Sequence, residues 1–173
     1  LSTPTSTIDR PPDQHSTSEH EFNAFYIDRY ETTLVEYVAF LNATHRQSVH
    51  CEDEDCLGAQ QAIVKFFPQV FVEDGRYQVS PGFESHPVDG FEWSTAKAYC
   101  LWRGKRLPTE AEWAKAAQGN DERKYPWGDA WQDDYSALFG AASSGKSTFP
   151  VGSHPIDVSI YGAFDMLGNV NEW

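Results

Sequence analysis

Apolar side chains recur with a helical period in three segments of the chain. The first segment follows Thr33 and Glu36, whose spacing is that of a capping box at a helix N-terminus. The apolar positions that follow fall at i, i+3, i+4 and i+7, which predicts a helix with one buried face. That face comprises Leu34, Tyr37, Val38 and Leu41.

Two further helices are expected in the middle of the chain. The first of them should be capped by Ser94, run to about Trp102 and end before Gly104. The other starts with a second capping-box pair and stops at a glycine, and its buried stripe contains one Trp and two Ala. Its residues are the pair Thr109 and Glu112, the stripe Trp113, Ala116 and Ala117, and the stop Gly119.

Strand patterns occur in two places. Residues 22–30 alternate enough apolar positions, including Phe25 and Ile27, to predict a strand. Residues 62–79 mix β-branched and aromatic side chains around Asp74-Gly75, which is a good hairpin turn. Residues 45–61 are polar and predict a surface insertion, and turns dominate from Tyr125 onward. Helices and strands in this order indicate an α+β, loop-rich domain.

Composition and charge indicate a folded chain and narrow the classes of ligand that it could bind. Aromatic residues make up 14% of the chain, which is unlike a disordered sequence. The formal net charge of −13 disfavours nucleic acid, because an acidic surface repels phosphate groups. Clustered carboxylates suit divalent cations, although an excess of acids also serves solubility alone.

The N-terminal segment differs from the remainder. Residues 1–21 are rich in Ser, Thr and Pro without apolar periodicity and predict a flexible tether, of the kind that follows a removed signal peptide or lipid anchor. The domain itself is then expected over residues 22–173. No apolar run reaches membrane-spanning length, so no transmembrane segment is predicted.

The cysteines suggest an oxidising compartment. Cys51 and Cys56 flank four acidic residues and could close a short disulfide loop, which favours a periplasmic, secreted or surface-tethered protein. A metal site formed by both cysteines and His50 is an alternative, but a second ligand pair with recognisable spacing is missing from the sequence. A glycosylation sequon at Asn42 lies inside the first predicted helix.

Residues 140–147 satisfy the phosphate-loop pattern letter for letter. Such a loop requires a helix that begins at the lysine, because the helix N-terminus supplies the aligned N–H donors. Pro150, Gly152 and Pro155 follow Lys146 too closely for that helix to form. The segment therefore predicts a loop, and no nucleotide partner is expected.

Six blocks resemble the formylglycine-generating enzyme (sulfatase-modifying factor) family in order and spacing. GKRLPTEAEW at 104–113 is the most specific of them. The others are FYIDRYETT at 25–33, HPV at 86–88 with AKAYCLW at 96–102, YPWGD at 125–129, PVGS at 150–153 and YGAFDMLGNVNEW at 161–173. The resemblance covers about residues 22–173. It implies a C-type-lectin-like core with bound calcium, incomplete here at its C-terminus.

The resemblance also implies a set of calcium ligands. The last block is similar to a loop in which an Asp or Asn side chain, two backbone carbonyls and a Glu bind calcium. Those positions fall on Asp165, Gly168, Val170 and Glu172. A second calcium site of some members is in doubt, because Ala137 stands where those members have Asn.

Catalysis in the oxidase members depends on a cysteine pair that binds copper and lies beyond the last block. Cys51, Cys56 and Cys100 do not match that pair, so no catalytic residue is assigned and copper is expected only with cysteines outside this chain. Cys100 is expected to be a small buried hydrophobe or half of a structural disulfide.

Two functions remain open, and enzymatic activity is uncertain. The first is a calcium-stabilised, non-catalytic binding or structural module in a larger extracytoplasmic assembly. The alternative is an oxygen-dependent oxidase, making formylglycine from a client cysteine or doing related sulfur or iron chemistry, with its catalytic residues elsewhere. In both cases the chain is expected to need another subunit or a C-terminal continuation that covers its core near Trp173 and Trp131.

Overall fold

The structure is a computed structural model that describes residues 23–44, 67–90, 92–121, 123–132 and 148–173. In chain order the elements are helix α1 (Leu34–Thr44), strands β1 (Val70–Glu73) and β2 (Arg76–Val79), and helices α2 (Trp93–Trp102) and α3 (Glu110–Gln118). Turns and loops connect them. This mixed helix and strand content agrees with the predicted class.

Helix α1 begins with the predicted capping box. The hydroxyl of Thr33 accepts the amide of Glu36 at 3.4 Å, and Glu36 Oε2 accepts the amide of Thr33 at 3.1 Å. These bonds occupy backbone groups that a helix end leaves unpaired. All four residues of the predicted face are buried, and Phe40, which was not included in the prediction, is buried with them. The apolar face is therefore wider than the i, i+3, i+4 pattern indicated.

Strands β1 and β2 form the predicted hairpin. They pair antiparallel from Val70–Val79 to Glu73–Arg76, and the two turn residues between them both have positive φ. Positive φ at both central residues is the geometry that Asp-Gly favours. The side chain of Asn42 in α1 bonds both the N–H and the C=O of Tyr77, each at 3.0 Å. The sequon asparagine thus joins α1 to the hairpin.

Helix α2 starts one residue before the position that the sequence predicted as its cap. Glu92 occupies the N-cap without a side-chain hydrogen bond, and Ser94 lies in the first turn. The prediction of Ser94 as cap is therefore wrong. The C-terminus is as expected, because the helix ends at Trp102 and Gly104 follows with φ of +71°. Glycine adopts this left-handed conformation without steric cost.

The predicted strand at 22–30 is wrong over its described part. Residues 23–28 have no regular structure, and 29–30 form a bend. A strand requires a partner, and the neighbouring described pairing is only an isolated bridge between Thr33 and Pro87. The apolar alternation in this segment reflects burial of single side chains rather than strand pairing, since Ile27 packs against buried residues while Tyr26 is fully exposed.

Helix α3 matches its prediction at both ends. Thr109 and Glu112 form the capping box, and Gly119 with φ of +77° is the C-cap. Ala116 and Ala117 are buried, whereas Trp113 is half-buried. Arg106 adds a bidentate ion pair to Glu112, with N–O distances of 2.7 and 2.6 Å.

Two groups of buried side chains form the core. The larger group joins α1, the hairpin and α2, and contains Leu34, Tyr37, Val38, Phe40, Leu41, Phe67, Val70, Tyr77 and Tyr99. The smaller group joins α3 to the C-terminal loop, and contains Ala116, Ala117, Ala163 and Met166. Three of the four side chains in the second group are alanines, so the C-terminal region relies more heavily on polar contacts.

Several predictions fall outside the described residues. These are the tether at 1–21, the insertion at 45–61 with Cys51 and Cys56, the phosphate-loop pattern at 140–147, and Ala137. Immediately after that pattern, residues 148–150 are described and contain no helix, as the prolines predicted. Among the described helices, none is long and apolar enough to cross a membrane.

The Arg106–Glu112 pair predicts how stability depends on pH. The guanidinium of Arg106, followed by the capping bond to Thr109, lowers the pKa of Glu112 from 4.5 to about 2. A carboxyl with a lowered folded-state pKa stabilises the protein above its unfolded pKa, and this contribution is lost as the pH falls. We therefore expect Glu112→Gln to flatten the pH dependence of the free energy of unfolding between about 4.5 and about 2.

Urea denaturation at a series of pH values would measure this effect. Glu110→Gln is the matched control, because Glu110 lies in the same helical turn and has no contact with Arg106. Parallel pH profiles for wild type and Glu112→Gln would contradict the role of the pair.

Candidate functional site

The C-terminal loop, residues 157–172, carries all four predicted calcium ligands. Two of its non-glycine residues, Asp165 and Asn169, have positive φ angles of 57° and 65°. Asp and Asn tolerate this left-handed conformation better than other non-glycine residues. An isolated bridge between Val158 and Phe164 closes the first half of the loop.

Asp157 accepts hydrogen bonds from three backbone amides of this loop. It is fully buried, and its Oδ2 accepts the amides of Leu167 at 3.0 Å and Gly168 at 3.1 Å. Its own carbonyl accepts the amide of Asp165 at 2.9 Å. Buried amides without acceptors are costly, at about 1–3 kcal/mol each, so this one carboxylate stabilises the turn at 165–168.

Glu31 reaches the same loop from the other end of the described chain. Its Oε2 accepts the side-chain amide of Asn169 at 2.7 Å, and its Oε1 accepts the backbone amide of Val170 at 3.2 Å. The Asn169 side chain also bonds both backbone groups of Phe149, at 3.0 and 3.1 Å. Glu31 is 6% exposed and Asn169 likewise, so the N-terminal segment, the 149 loop and the C-terminal loop meet in a buried polar contact.

The two predicted side-chain ligands lie on either side of this contact. Asp165 is buried, and its Oδ2 accepts the amide of Gly152 at 2.6 Å. Glu172 retains exposed surface, but its Oε2 accepts the indole N–H of Trp113 at 2.7 Å. A side chain at Gly152 would collide with the Tyr30 ring, so this close approach of the backbone to Tyr30 requires glycine.

Two acids of the site, Glu31 and Asp165, are buried, whereas Glu172 is exposed at the surface. Burial raises the pKa of Glu31 to about 9, with further contributions from the charges of Glu172 and Asp165. Burial is also the main cause that raises the pKa of Glu172 to about 6, and the charge of Asp165 adds to it. The pKa of Asp165 is raised as well, again chiefly by burial. A bound cation would favour the ionised forms and lower these pKa values.

Four oxygens at the predicted ligand positions have no hydrogen-bond donor among the described residues. They are Asp165 Oδ1, Glu172 Oε1, and the backbone oxygens of Gly168 and Val170. Carboxylate and carbonyl oxygens are the ligands that calcium prefers. Within the described ranges, no three His, Cys, Asp or Glu side chains form a metal-binding group. The predicted site instead combines two side chains with two carbonyls, so the donor chemistry fits calcium while occupancy stays a prediction.

A cleft of about 900 Å³ adjoins this loop. Its walls include the first and the last described segments, residues 24–32 and 170–173, together with α2 and the segment before α3. Apolar side chains form much of its surface, among them Phe25, Ile27, Tyr99, Leu107, Met166 and Trp173. Trp173 is 56% exposed at this edge, whereas Trp131 packs against Tyr125 and Trp127 and does not line the cleft.

Sequence comparison identifies the family of the chain. The family described as "Sulfatase-modifying factor enzyme 1-like domain" matches residues 4–173. The chain belongs to this family. The resemblance inferred from the six sequence blocks is thereby confirmed.

The relatives of this sulfatase-modifying factor domain carry the names of different kinds of protein. A serine/threonine-protein kinase pkn1 of Chlamydia caviae is 32% identical, over 93% of this chain and 24% of the relative. The formylglycine-generating enzyme of Thermomonospora curvata is 30% identical, over 86% of this chain and 58% of the enzyme. The inactive C-alpha-formylglycine-generating enzyme 2 of Bos taurus is 42% identical, over 50% of this chain and 32% of the relative. The chain spans about a quarter to somewhat more than half of these proteins.

Sequence reasoning missed three residues that hold the site of this sulfatase-modifying factor domain together: Glu31, Asp157 and Asn169. Glu31 and Asn169 stand inside family blocks, so their positions were available, but their pairing across 138 residues was not. Asp157 lies between two blocks, and a lone acid in a turn-rich segment carries no local signal of its burial.

Cys100 lies in the cleft wall as a free, half-buried thiol. It packs against the larger core group, which agrees with the expectation of a small hydrophobe rather than a disulfide partner. Burial raises its pKa, and the charge of Asp28 adds to the effect. A reactive thiolate requires the opposite shift.

Proposed function

We propose that this domain is a calcium-stabilised, non-catalytic binding or structural module of the sulfatase-modifying factor family. The observation that carries the proposal is the set of four oxygens at Asp165, Gly168, Val170 and Glu172 that lack hydrogen-bond donors among the described residues. Calcium in this loop would supply positive charge among carboxyl groups whose pKa values are raised.

The proposal includes the C-type-lectin-like fold that the family resemblance implies. A short hairpin, three helices and long loops with buried polar contacts are compatible with such a fold. In a loop-rich domain with a small second core, an ion that joins four positions over eight residues would contribute substantially to stability.

A non-catalytic role has two supports. The thiol of Cys100 has a raised pKa, which makes it a poor nucleophile and a poor copper ligand. One relative is named as an inactive formylglycine-generating enzyme. Copper enters the proposal only if a cysteine pair exists outside this chain.

An oxygen-dependent oxidase is the second candidate. It is favoured by the 30% identity to the Thermomonospora curvata formylglycine-generating enzyme over 86% of this chain. In that case this domain would supply the scaffold and part of the cleft, and a cysteine pair elsewhere would supply the chemistry. Oxygen consumption by the intact protein with a cysteine-containing peptide would distinguish the two candidates.

We further propose that polypeptide covers the cleft, either as a continuation of the chain or as another subunit. Exposed apolar surface of this size promotes association unless another element covers it. Residues 24–28 line one wall without regular secondary structure, so this wall could accept a neighbouring strand.

The proposed location is extracytoplasmic, with Cys51 and Cys56 joined in a disulfide. The support is their five-residue spacing within a chain that begins with a Ser-, Thr- and Pro-rich segment. Alkylation of Cys51 and Cys56 in the unreduced native protein would contradict this part of the proposal.

Calcium removal gives a direct prediction for stability. Binding to the folded state alone stabilises by about 2.7 kcal/mol when calcium is 100 times its Kd. In a domain of this size that corresponds to a loss of roughly 5–10 °C in Tm when chelator is added. Thermal melts of the intact protein with excess chelator, and after calcium is restored, would measure the loss and its reversal.

Two variants test whether the change in Tm comes from calcium bound in the C-terminal loop. Glu172→Gln should lower the Tm in calcium and reduce the response to chelator, because it weakens one carboxylate ligand. Glu73→Gln, an exposed change of the same charge in β1, should respond as wild type does. An unchanged wild-type melt in excess chelator would refute the calcium proposal.

The proposal that polypeptide covers the cleft predicts how the 173-residue chain should bind dye and associate when it is alone. Without its cover, the chain should bind an apolar dye such as ANS and self-associate in light scattering, whereas the intact protein should do neither. A monodisperse monomer of 19.5 kDa that melts cooperatively without dye binding would contradict the proposal.

A further inference from the structure

Glu31 makes two of the described side-chain contacts to the segment that carries the two predicted carbonyl ligands. Its oxygens accept N–H groups from two consecutive residues of that segment, Asn169 and Val170, at 2.7 and 3.2 Å. Glu31 is buried, so these bonds are shielded from competition by water.

The bond to the amide of Val170 acts on a particular peptide group. That amide belongs to the peptide between Asn169 and Val170, which lies between the two peptides whose carbonyls are the predicted ligands, those of Gly168 and Val170. When the orientation of the central peptide is fixed, the φ and ψ rotations available to its two neighbours are restricted.

The bond to the side chain of Asn169 restricts the same segment from a second direction. Asn169 has φ of 65°, a conformation that few non-glycine residues adopt without support. Its amide group is held by Glu31 on one side and by both backbone groups of Phe149 on the other. Asn169 therefore cannot rotate away without breaking three hydrogen bonds.

We propose that Glu31 is the positioning residue of the calcium loop, holding the carbonyls of Gly168 and Val170 in the orientation that binds the ion. This inference rests on the proposed function, since it assumes that calcium binds the loop. We assign Glu31 a role through the loop, because each of its oxygens accepts an N–H group of Asn169 or Val170.

Glu31→Gln is the informative variant. The amide of Gln has one acceptor oxygen and one donor nitrogen, so it would place a donor against an N–H of Asn169 or Val170. We expect calcium affinity in the intact protein, measured by isothermal titration with calcium chloride, to fall at least tenfold. Glu73→Gln makes the same chemical change at an exposed position and should bind calcium as wild type does.

The outcomes separate this inference from the proposed function. Calcium binding by Glu31→Gln equal to that of wild type would overturn the positioning role while the calcium site stands. Absence of calcium binding by the wild-type protein would overturn the calcium site, and the role of Glu31 with it. An equal loss in Glu73→Gln would show a general effect of charge and would also overturn the positioning role.

A second variant covers the case in which Glu31→Gln does not fold. Asn169→Gly tolerates the positive φ and keeps the Glu31 side chain unchanged, but it removes the amide that Glu31 holds. Its calcium affinity should also fall at least tenfold with circular dichroism unchanged. Wild-type affinity in Asn169→Gly would overturn the proposal.

Discussion

The C-terminal half of this domain depends on acids that are placed where water is scarce. Asp157 and Asp165 are almost completely buried, and Glu31 is nearly so. Removing a carboxylate from water is costly unless hydrogen bonds or a cation compensate. Backbone amides of Gly152, Leu167, Gly168 and Val170 and the side chain of Asn169 provide the first compensation. Burial nevertheless raises the pKa of Glu31 to about 9, and the charges of Glu172 and Asp165 add to this effect.

The same acids connect parts of the chain that are far apart in sequence. Glu31 follows the extended segment at the cleft wall, Asp165 holds Gly152, and Glu172 holds Trp113 of α3. A small core of Ala and Met side chains cannot join these elements by apolar contact alone. The polar contacts thus determine the shape of the cleft, because the residues that they fix also form its walls. The proposed calcium binding and the geometry of the cleft would therefore depend on each other.

Local elements of the fold were predictable, and their connections were not. The capping boxes at Thr33 and Thr109 and the Asp74-Gly75 turn are determined by residues within a few positions of one another, and all three are present. The strand expected at 22–30 is not, because strand formation depends on a partner that alternation alone cannot specify. Ser94 has the right chemistry for a cap, but the helix begins one residue earlier. At the site, the resemblance supplied Asp165 and Glu172. The support from Glu31 comes from contacts across 138 and 139 residues, and that from Asp157 comes from amides 10 and 11 residues further along the loop.

Crystallography of the intact protein grown with calcium tests the central claim most directly. An anomalous difference map should contain one peak bound by Asp165, Glu172 and the carbonyls of Gly168 and Val170, with oxygen distances of about 2.3–2.6 Å. An ordered loop without that peak, or with a side chain filling the position of the ion, would contradict the account.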